Sequence, residues 1–174
     1  MTEETLNALM RDGLGRLKIS RVMSRPVHTV RETADLSRVE QEFIEFRIRH
    51  MPVIDENNRL IGIVSQRDIY RTVAPRKNQQ GEVFYEKELL VENDQFFYDR
   101  QTLDEYILCR VMRKDPETLT EENSVKDAIH LMVKKKIGCV PIINEQREVV
   151  GIVTRHDILD TLEKCLSDNA SLNN

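Results

Sequence analysis

Tryptophan is absent from the 174 residues, and cysteine, proline and glycine are scarce, at three, five and six. The three cysteines (Cys109, Cys139, Cys165) form no paired metal-ligand spacing, and the odd count argues against a disulfide framework. A reducing, cytoplasmic setting is therefore expected, with Cys139 a small buried apolar residue in a strand. The six glycines are scattered, and Gly13 and Gly15 lack the context of a phosphate-cradling loop. His28, His50, His130 and His156 lie far apart, with no helical metal-binding pair, and no local nucleophile motif accompanies them. No intrinsic catalysis is expected, and no metal or cofactor is required. No apolar run approaches the roughly 20 residues that span a bilayer, and Met1-Thr2-Glu3-Glu4 lacks the basic-then-apolar order of a signal peptide. A net charge of −4 and a pI near 5.7 make a nucleic-acid partner unexpected but leave room for a local basic pocket for phosphates.

What is present is a duplication. Pro52-Val53-Ile54-Asp55-Glu56, followed by Leu60-Ile61-Gly62-Ile63-Val64-Ser65-Gln66-Arg67-Asp68-Ile69, returns 89 residues later. There it reads Pro141-Ile142-Ile143-Asn144-Glu145, then Val149-Val150-Gly151-Ile152-Val153-Thr154-Arg155-His156-Asp157-Ile158. The same offset matches Val22-Met23 to Val111-Met112 and Thr29 to Thr118. Two copies in one register mean a duplicated structural unit. A copy of about 50 residues buries too little surface to be comfortably stable alone, so the two are expected to share one core and pack as one module. Apolar and charged contents of 40% and 32% suit a soluble globular chain.

The second copy is the clearer. Glu117–Leu119 is extended, and Asn123-Ser124 supplies a helix N-cap. Val125, Ala128, Ile129, Met132 and Val133 form an apolar helical stripe, and Lys134-Lys135-Lys136 suits the helix C-terminus. Strands follow at Cys139–Ile143 and Val149–Val153 around a polar turn, then a helix from Arg155 to about Leu166. In the first copy, Val27–Val30 is extended, and a helix from about Ala34 to Ile48 carries Leu36, Val39, Phe43 and Phe46. Strands at Met51–Asp55 and Leu60–Val64 precede a helix from about Gln66 to Val73, with Pro75 at or beyond its end. The class is α+β, in two pseudo-symmetric β-α-β-β-α repeats. Each strand pair should form an antiparallel hairpin, and the strand before each long helix should pair parallel with one of its strands.

Two segments fall outside the repeats. Residues 1–17 carry Leu6, Leu9, Met10, Leu14 and Leu17 at helical spacing, broken by Gly13 and Gly15, and read as an amphipathic helix packed on the module. Residues 75–106 connect repeat 1 (18–74) to repeat 2 (107–166), and 167–174 read as a disordered tail. From Glu82 to Tyr106 the connector holds six of the nine aromatics, with eight acidic against two basic residues. One reading of this stretch is a helix burying Phe96 and Phe97 against its own module; the other is an interaction surface, since aromatics concentrate at interface cores.

The ordered set of Val-Met, extended piece, helix, apolar-Pro-apolar strand and Gly-x-Val-Ser/Thr-x-x-Asp resembles the CBS domain, named after cystathionine β-synthase, and the tandem arrangement resembles a CBS pair, or Bateman module. The resemblance covers residues 18–74 and 107–166 and implies a stand-alone regulatory module. It would bind AMP, ADP, ATP or S-adenosylmethionine in two clefts between the repeats, form a homodimer and act on a regulated protein not identifiable from the chain. The alternative is a ligand-free dimerisation or interaction module, with the connector and the N-terminal helix as its working parts.

By that resemblance Asp68 and Asp157 accept from ribose hydroxyls, which suits a carboxylate facing two vicinal donors. Ser65 and Thr154 sit at helix starts, where hydroxyls and free N–H groups favour phosphate. The same Ser/Thr-x-x-Asp spacing is equally a capping box that only starts a helix. Before the Pro-containing strand the copies differ: Arg49-His50 can pair with phosphate, whereas Gly138-Cys139 cannot neutralise charge. Arg155 and His156 are further candidate cations, although Arg155, like Arg67, also reads as an exposed helix residue. Thr29 and Thr118 stand where the family contacts base or ribose, and equally suit a strand as β-branched residues.

Overall fold

The computed structural model describes residues 12–73, 76–77, 83–84, 91–92, 95–96 and 108–170. They divide into two compact units. The first holds residues 28–57 and, as far as described, 61–115; the second holds the described parts of 1–27 and 116–174, with 58–60. The compact units are therefore not the sequence repeats. The Val-Met segment that opens each repeat is built into the unit formed by the rest of the other.

In chain order, the first unit contains β1 (Val30–Arg31), α1 (Leu36–Glu45), β2 (His50–Ile54), β3 (Leu60–Ser65, all but its first residue) and α2 (Gln66–Val73). Two short antiparallel ladders follow, β4 (Arg76–Lys77) with β5 (Val83–Phe84) and β6 (Val91–Glu92) with β7 (Gln95–Phe96). Next come α3 (Leu108–Val111) and β8 (Arg113–Lys114). The sheet order is β1-β2-β3-β8. β1 lies parallel to β2, with Val30 opposite Val53, as the crossover rule anticipated. The core is Leu36, Val39 and Phe43 of α1 against Met51, Val53 and Val64, closed by Leu108 and Met112 from α3 and the residue after it.

The second unit contains α4 (Val125–Lys135), β9 (Cys139–Ile143), β10 (Val149–Thr154) and α5 (Arg155–Ala170). β9 and β10 are antiparallel, and single bridges extend them on both sides, Leu119 parallel to Ile142 and Ser24 antiparallel to Ile152. This order repeats β1-β2-β3-β8 position by position. Ile19 and Met23 join Ala128, Met132, Val140, Ile142 and Val153 in this core, so each unit has a core of its own rather than the single shared core expected, because the Val-Met segment supplies the apolar surface that one repeat lacks. The early segment is pinned by backbone bonds from Ile19 N to the Asn123 carbonyl (2.9 Å), Val125 N to the Leu17 carbonyl (2.9 Å) and Ser24 N to the Ile152 carbonyl (2.9 Å).

Glycine makes the exchange possible. A Cβ on Gly151 would stand 2.2 Å from Met23 Sδ, and one on Gly62 would stand 2.5 Å from Met112 Sδ. Each bare strand position thus receives the methionine that opens the other repeat, and close packing leaves no room for a methyl group there.

Several boundaries moved. α1 begins after Asp35 and ends at Glu45, short of Ile48, because Phe46 leaves helical geometry and Arg47 adopts a φ of 52°. Its repeat counterpart Lys136 ends α4 with a φ of 55°. Phe46 was expected on the buried stripe but is 40% exposed and stacks on His28 with ring centroids 3.9 Å apart. Val133, expected on the stripe of α4, is 72% exposed. Ser124 caps α4 in a full capping box with Asp127, and the Ser124 backbone N–H, ahead of its hydroxyl, holds the Asp127 carboxyl below its ordinary range. α5 runs to Ala170, past Leu166, so residues 167–170 are helical rather than tail; no glycine or proline stops the helix there. Residues 171–174 lie outside the described residues. So do residues 1–11, most of the expected N-terminal helix, although 12–16 are helical. Phe96 lies in a strand rather than a helix, and Phe97 falls outside the described residues. Cys139 is buried, as expected.

The Met23–Gly151 seat predicts a coupling. Gly151→Ala should lower stability by roughly 1–3 kcal/mol through overpacking. In a Met23→Ala background the same change should cost much less, and urea unfolding of the two single variants and the double variant measures the difference.

Candidate functional site

Each unit builds one corner where a strand becomes a helix. In the first unit Ser65 ends β3 and α2 starts at Gln66, whose N–H donates to the Arg49 carbonyl at 3.1 Å. In the second, Thr154 ends β10 and the Arg155 N–H donates to the Gly138 carbonyl at 3.1 Å. The backbone bond ties the end of one strand to the residue before its neighbour. Arg49, His50, Ser65 and Asp68 are thereby gathered at one edge of the first unit. Thr29 directly precedes β1, whose pairing with β2 is parallel, and so lies toward the same end of the sheet. In the second unit Thr118 precedes the Leu119 bridge, and Thr154 pairs with Cys139 across β9 and β10.

The acids are held as the capping reading requires. Asp68 Oδ2 accepts from Ser65 N at 2.9 Å and from Ser65 Oγ at 2.5 Å. Asp157 Oδ2 accepts from Thr154 N at 2.7 Å and from Thr154 Oγ1 at 2.6 Å. In both corners the hydroxyl oxygen faces the Asp N–H in return, at 3.3 Å and 3.4 Å. The corner is thus rigid and partly buried, with one carboxylate oxygen used locally and the other turned elsewhere.

The cations are placed differently. Arg49 is exposed beside the Ser65 corner. The Arg155 guanidinium donates to the Ile137 carbonyl at 3.2 Å within its own unit, which fixes it along the protein surface. His156 is exposed on the first turn of α5, and Arg67 is exposed on α2. Among the described residues no cluster of His, Cys, Asp or Glu could hold a metal ion.

One polar residue escaped the sequence reading. Ser24 Oγ donates to Asp157 Oδ1 at 2.7 Å. The available signal was its place directly after Val22-Met23, matched by Arg113 after Val111-Met112. Nothing in the linear order suggested that this segment would meet the acid of the other repeat.

Known proteins resemble this chain in sequence and in fold. The family model of the CBS domain matches residues 19–75 and again residues 108–164. Homoserine O-acetyltransferase of Methanosarcina acetivorans is 26% identical over 158 residues, which are 91% of this chain but 24% of that enzyme, so the chain spans about a quarter of that relative. The crystal structure of the CBS domain pair of protein MJ0100, in complex with 5′-methylthioadenosine and S-adenosyl-L-methionine, is similar with a TM-score of 0.64 and 23% identity over 84% of this chain and 96% of that one. The CBS domain protein PAE2072 of Pyrobaculum aerophilum, complexed with AMP, gives 0.61 and 23% over 81% and 89%. These two likenesses are likenesses of fold.

The geometry separates the two acids by stability. Asp157→Ala gives up the bond from Ser24 as well as the helix cap, so it should lower stability by roughly 1 kcal/mol more than Asp68→Ala. Urea unfolding of the two single variants in the absence of any ligand checks this.

Proposed function

Because the chain belongs to the CBS domain family, with the domain present twice, we propose that it is a regulatory sensor that binds an adenosine-containing ligand, AMP, ADP, ATP or S-adenosylmethionine, without acting on it chemically. The observation that carries the reading is the duplicated strand-to-helix corner, with a half-buried carboxylate fixed by its own cap in each unit. A carboxylate held in this way suits a vicinal diol, since its orientation is settled before the ligand arrives and little further ordering is needed. The positive end of each helix dipole favours a phosphate nearby, while the Ser65 and Thr154 hydroxyl protons are given to the acids. Arg49 and His50 make the first unit the better phosphate site, because the second unit has Gly138 and Cys139 in their place. Solved fold relatives crystallised with AMP, 5′-methylthioadenosine or S-adenosyl-L-methionine support the choice of ligand class. The ligand signals to a regulated protein by its different affinity for alternative packings of the chain.

Thermal unfolding against AMP, ADP, ATP, S-adenosylmethionine, NAD and GTP tests this. A ligand at about 100 times its dissociation constant adds about 2.7 kcal/mol, or roughly 5–10 °C here. The shift should vanish in the Asp68→Ala, Asp157→Ala double variant. A shift that persists there would reduce the two acids to helix caps.

A second reading, self-association, has its own support. Ile44 and Tyr70 of the first unit are 60% and 48% exposed. Their counterparts 89 residues on, Val133 and Leu159, are 72% and 63% exposed. In the second unit these two rim an apolar groove of about 430 Å³ between α4 and α5, floored by Met132 and Ile158. The same two helix positions are left apolar and exposed in each unit, which suits a homodimer formed through the helical faces. Val133→Lys with Leu159→Lys should convert a dimer to a monomer in light scattering, and an unchanged mass would exclude this face.

A further inference from the structure

We infer that the two corners are not equivalent and that a nucleotide's vicinal diol seats first on Asp68, because Ser24 already occupies the outer carboxylate oxygen of Asp157. This inference rests on the nucleotide-binding reading above. Each acid commits Oδ2 to its own helix start, through Ser65 in one unit and Thr154 in the other. The two Oδ1 atoms are what remains for an incoming hydroxyl. Asp157 Oδ1 accepts from Ser24 Oγ at 2.7 Å. Asp68 Oδ1 has no hydrogen-bond or ion-pair partner among the described residues.

The difference is written at one repeat position. Ser24 bridges Ile152 in the second unit, and Arg113 pairs with Ile63 in the first. Both residue pairs are related by the same offset of 89, so Arg113 stands in the register place of Ser24. Arg113 has no hydroxyl and forms no ion pair with Asp68. A diol arriving at Asp157 must therefore displace a short bond to a charged acceptor, whereas at Asp68 it meets an oxygen free to accept. Exchanging one such bond for another of the same kind forfeits most of the gain, which makes the Asp157 corner weaker by about tenfold. Arg49 and His50 flank the Asp68 corner and favour the same order of filling.

Isothermal titration of the full chain with AMP tests this, with 2′,3′-dideoxyadenosine monophosphate as the control that lacks the diol. The unaltered chain should show one tighter site and one about tenfold weaker, both diminished for the dideoxy compound. Asp68→Asn should remove the tighter site, while Asp157→Asn should leave it in place. Asparagine keeps an acceptor oxygen for the cap, and circular dichroism verifies that each variant folds. Ser24→Ala lies outside both helix caps and should tighten the weaker site by about tenfold without moving the tighter one. Arg113→Ser, which installs the hydroxyl beside Asp68, should weaken the tighter site. Loss of the tighter site in Asp157→Asn but not in Asp68→Asn overturns the order of filling, as does a weaker site unmoved by Ser24→Ala. No heat from AMP with the unaltered chain sinks the nucleotide reading itself, and this inference with it.

Discussion

A methionine seated on a bare glycine is the contact on which each unit depends. Gly151 and Gly62 lie in the middle of strands, where glycine is otherwise a poor choice because it orders at high entropic cost and packs no side chain. Here the missing Cβ is what lets the sulfur of Met23 or Met112 reach the sheet. Methionine suits the place, being unbranched and able to fill an irregular gap. The seat brings a segment distant in sequence alongside the last long strand of each unit, and that segment completes the core: Ile19 and Leu108 are both fully buried. Without it each core would be open along one side.

The same seat delivers a structural asymmetry between the two corners. Once Met23 is docked on Gly151, the next residue, Ser24, bridges Ile152 and its hydroxyl reaches Asp157. Once Met112 is docked on Gly62, the next residue is Arg113, which makes no such bond to Asp68. A packing rule repeated faithfully twice therefore carries a chemical difference, because the repeat holds its apolar residues in register and lets the polar neighbours drift. The corners themselves illustrate the same division. Ser65 and Thr154 differ by one methyl group and cap their helices through one set of bonds. The cap uses one carboxylate oxygen of each acid and leaves the second for another partner, which at Asp157 is Ser24.

Much of the architecture was legible in the chain. The β-α-β-β-α order, the parallel pairing of β1 with β2, the antiparallel hairpin of β9 and β10 and the start of α2 at Gln66 follow from apolar periodicity and from strand runs bounded by turns. The failures have identifiable causes. Phe46 and Val133 sit at helical spacing for a buried stripe, yet Phe46 stands past the end of α1 and stacks on His28, and Val133 lies on the exposed side of α4. The early end of α1 depends on Arg47 entering the left-handed region, a conformation that arginine gives no sign of favouring. Its counterpart Lys136 does the same, and Asn58 with Arg147 forms a second such pair, with φ of 61° and 65°. The backbone is more faithfully repeated than the sequence.

The sequence by itself determined the duplicated unit, most of its secondary structure and apolar core positions, and the two Ser/Thr–Asp corners. Those features are local, set by periodicity, turn chemistry and capping within a few residues, and the offset of 89 marks them twice. Tertiary structure alone decided which Val-Met segment completes which unit. Both segments present nearly the same apolar residues to nearly the same glycine, so linear order cannot distinguish docking within a repeat from docking across repeats. It also decided that Ser24 would meet Asp157, 133 residues away. A hydrogen bond between an exposed serine and a half-buried aspartate leaves no trace in apolar patterning, and it exists only because buried neighbours hold its partners in place.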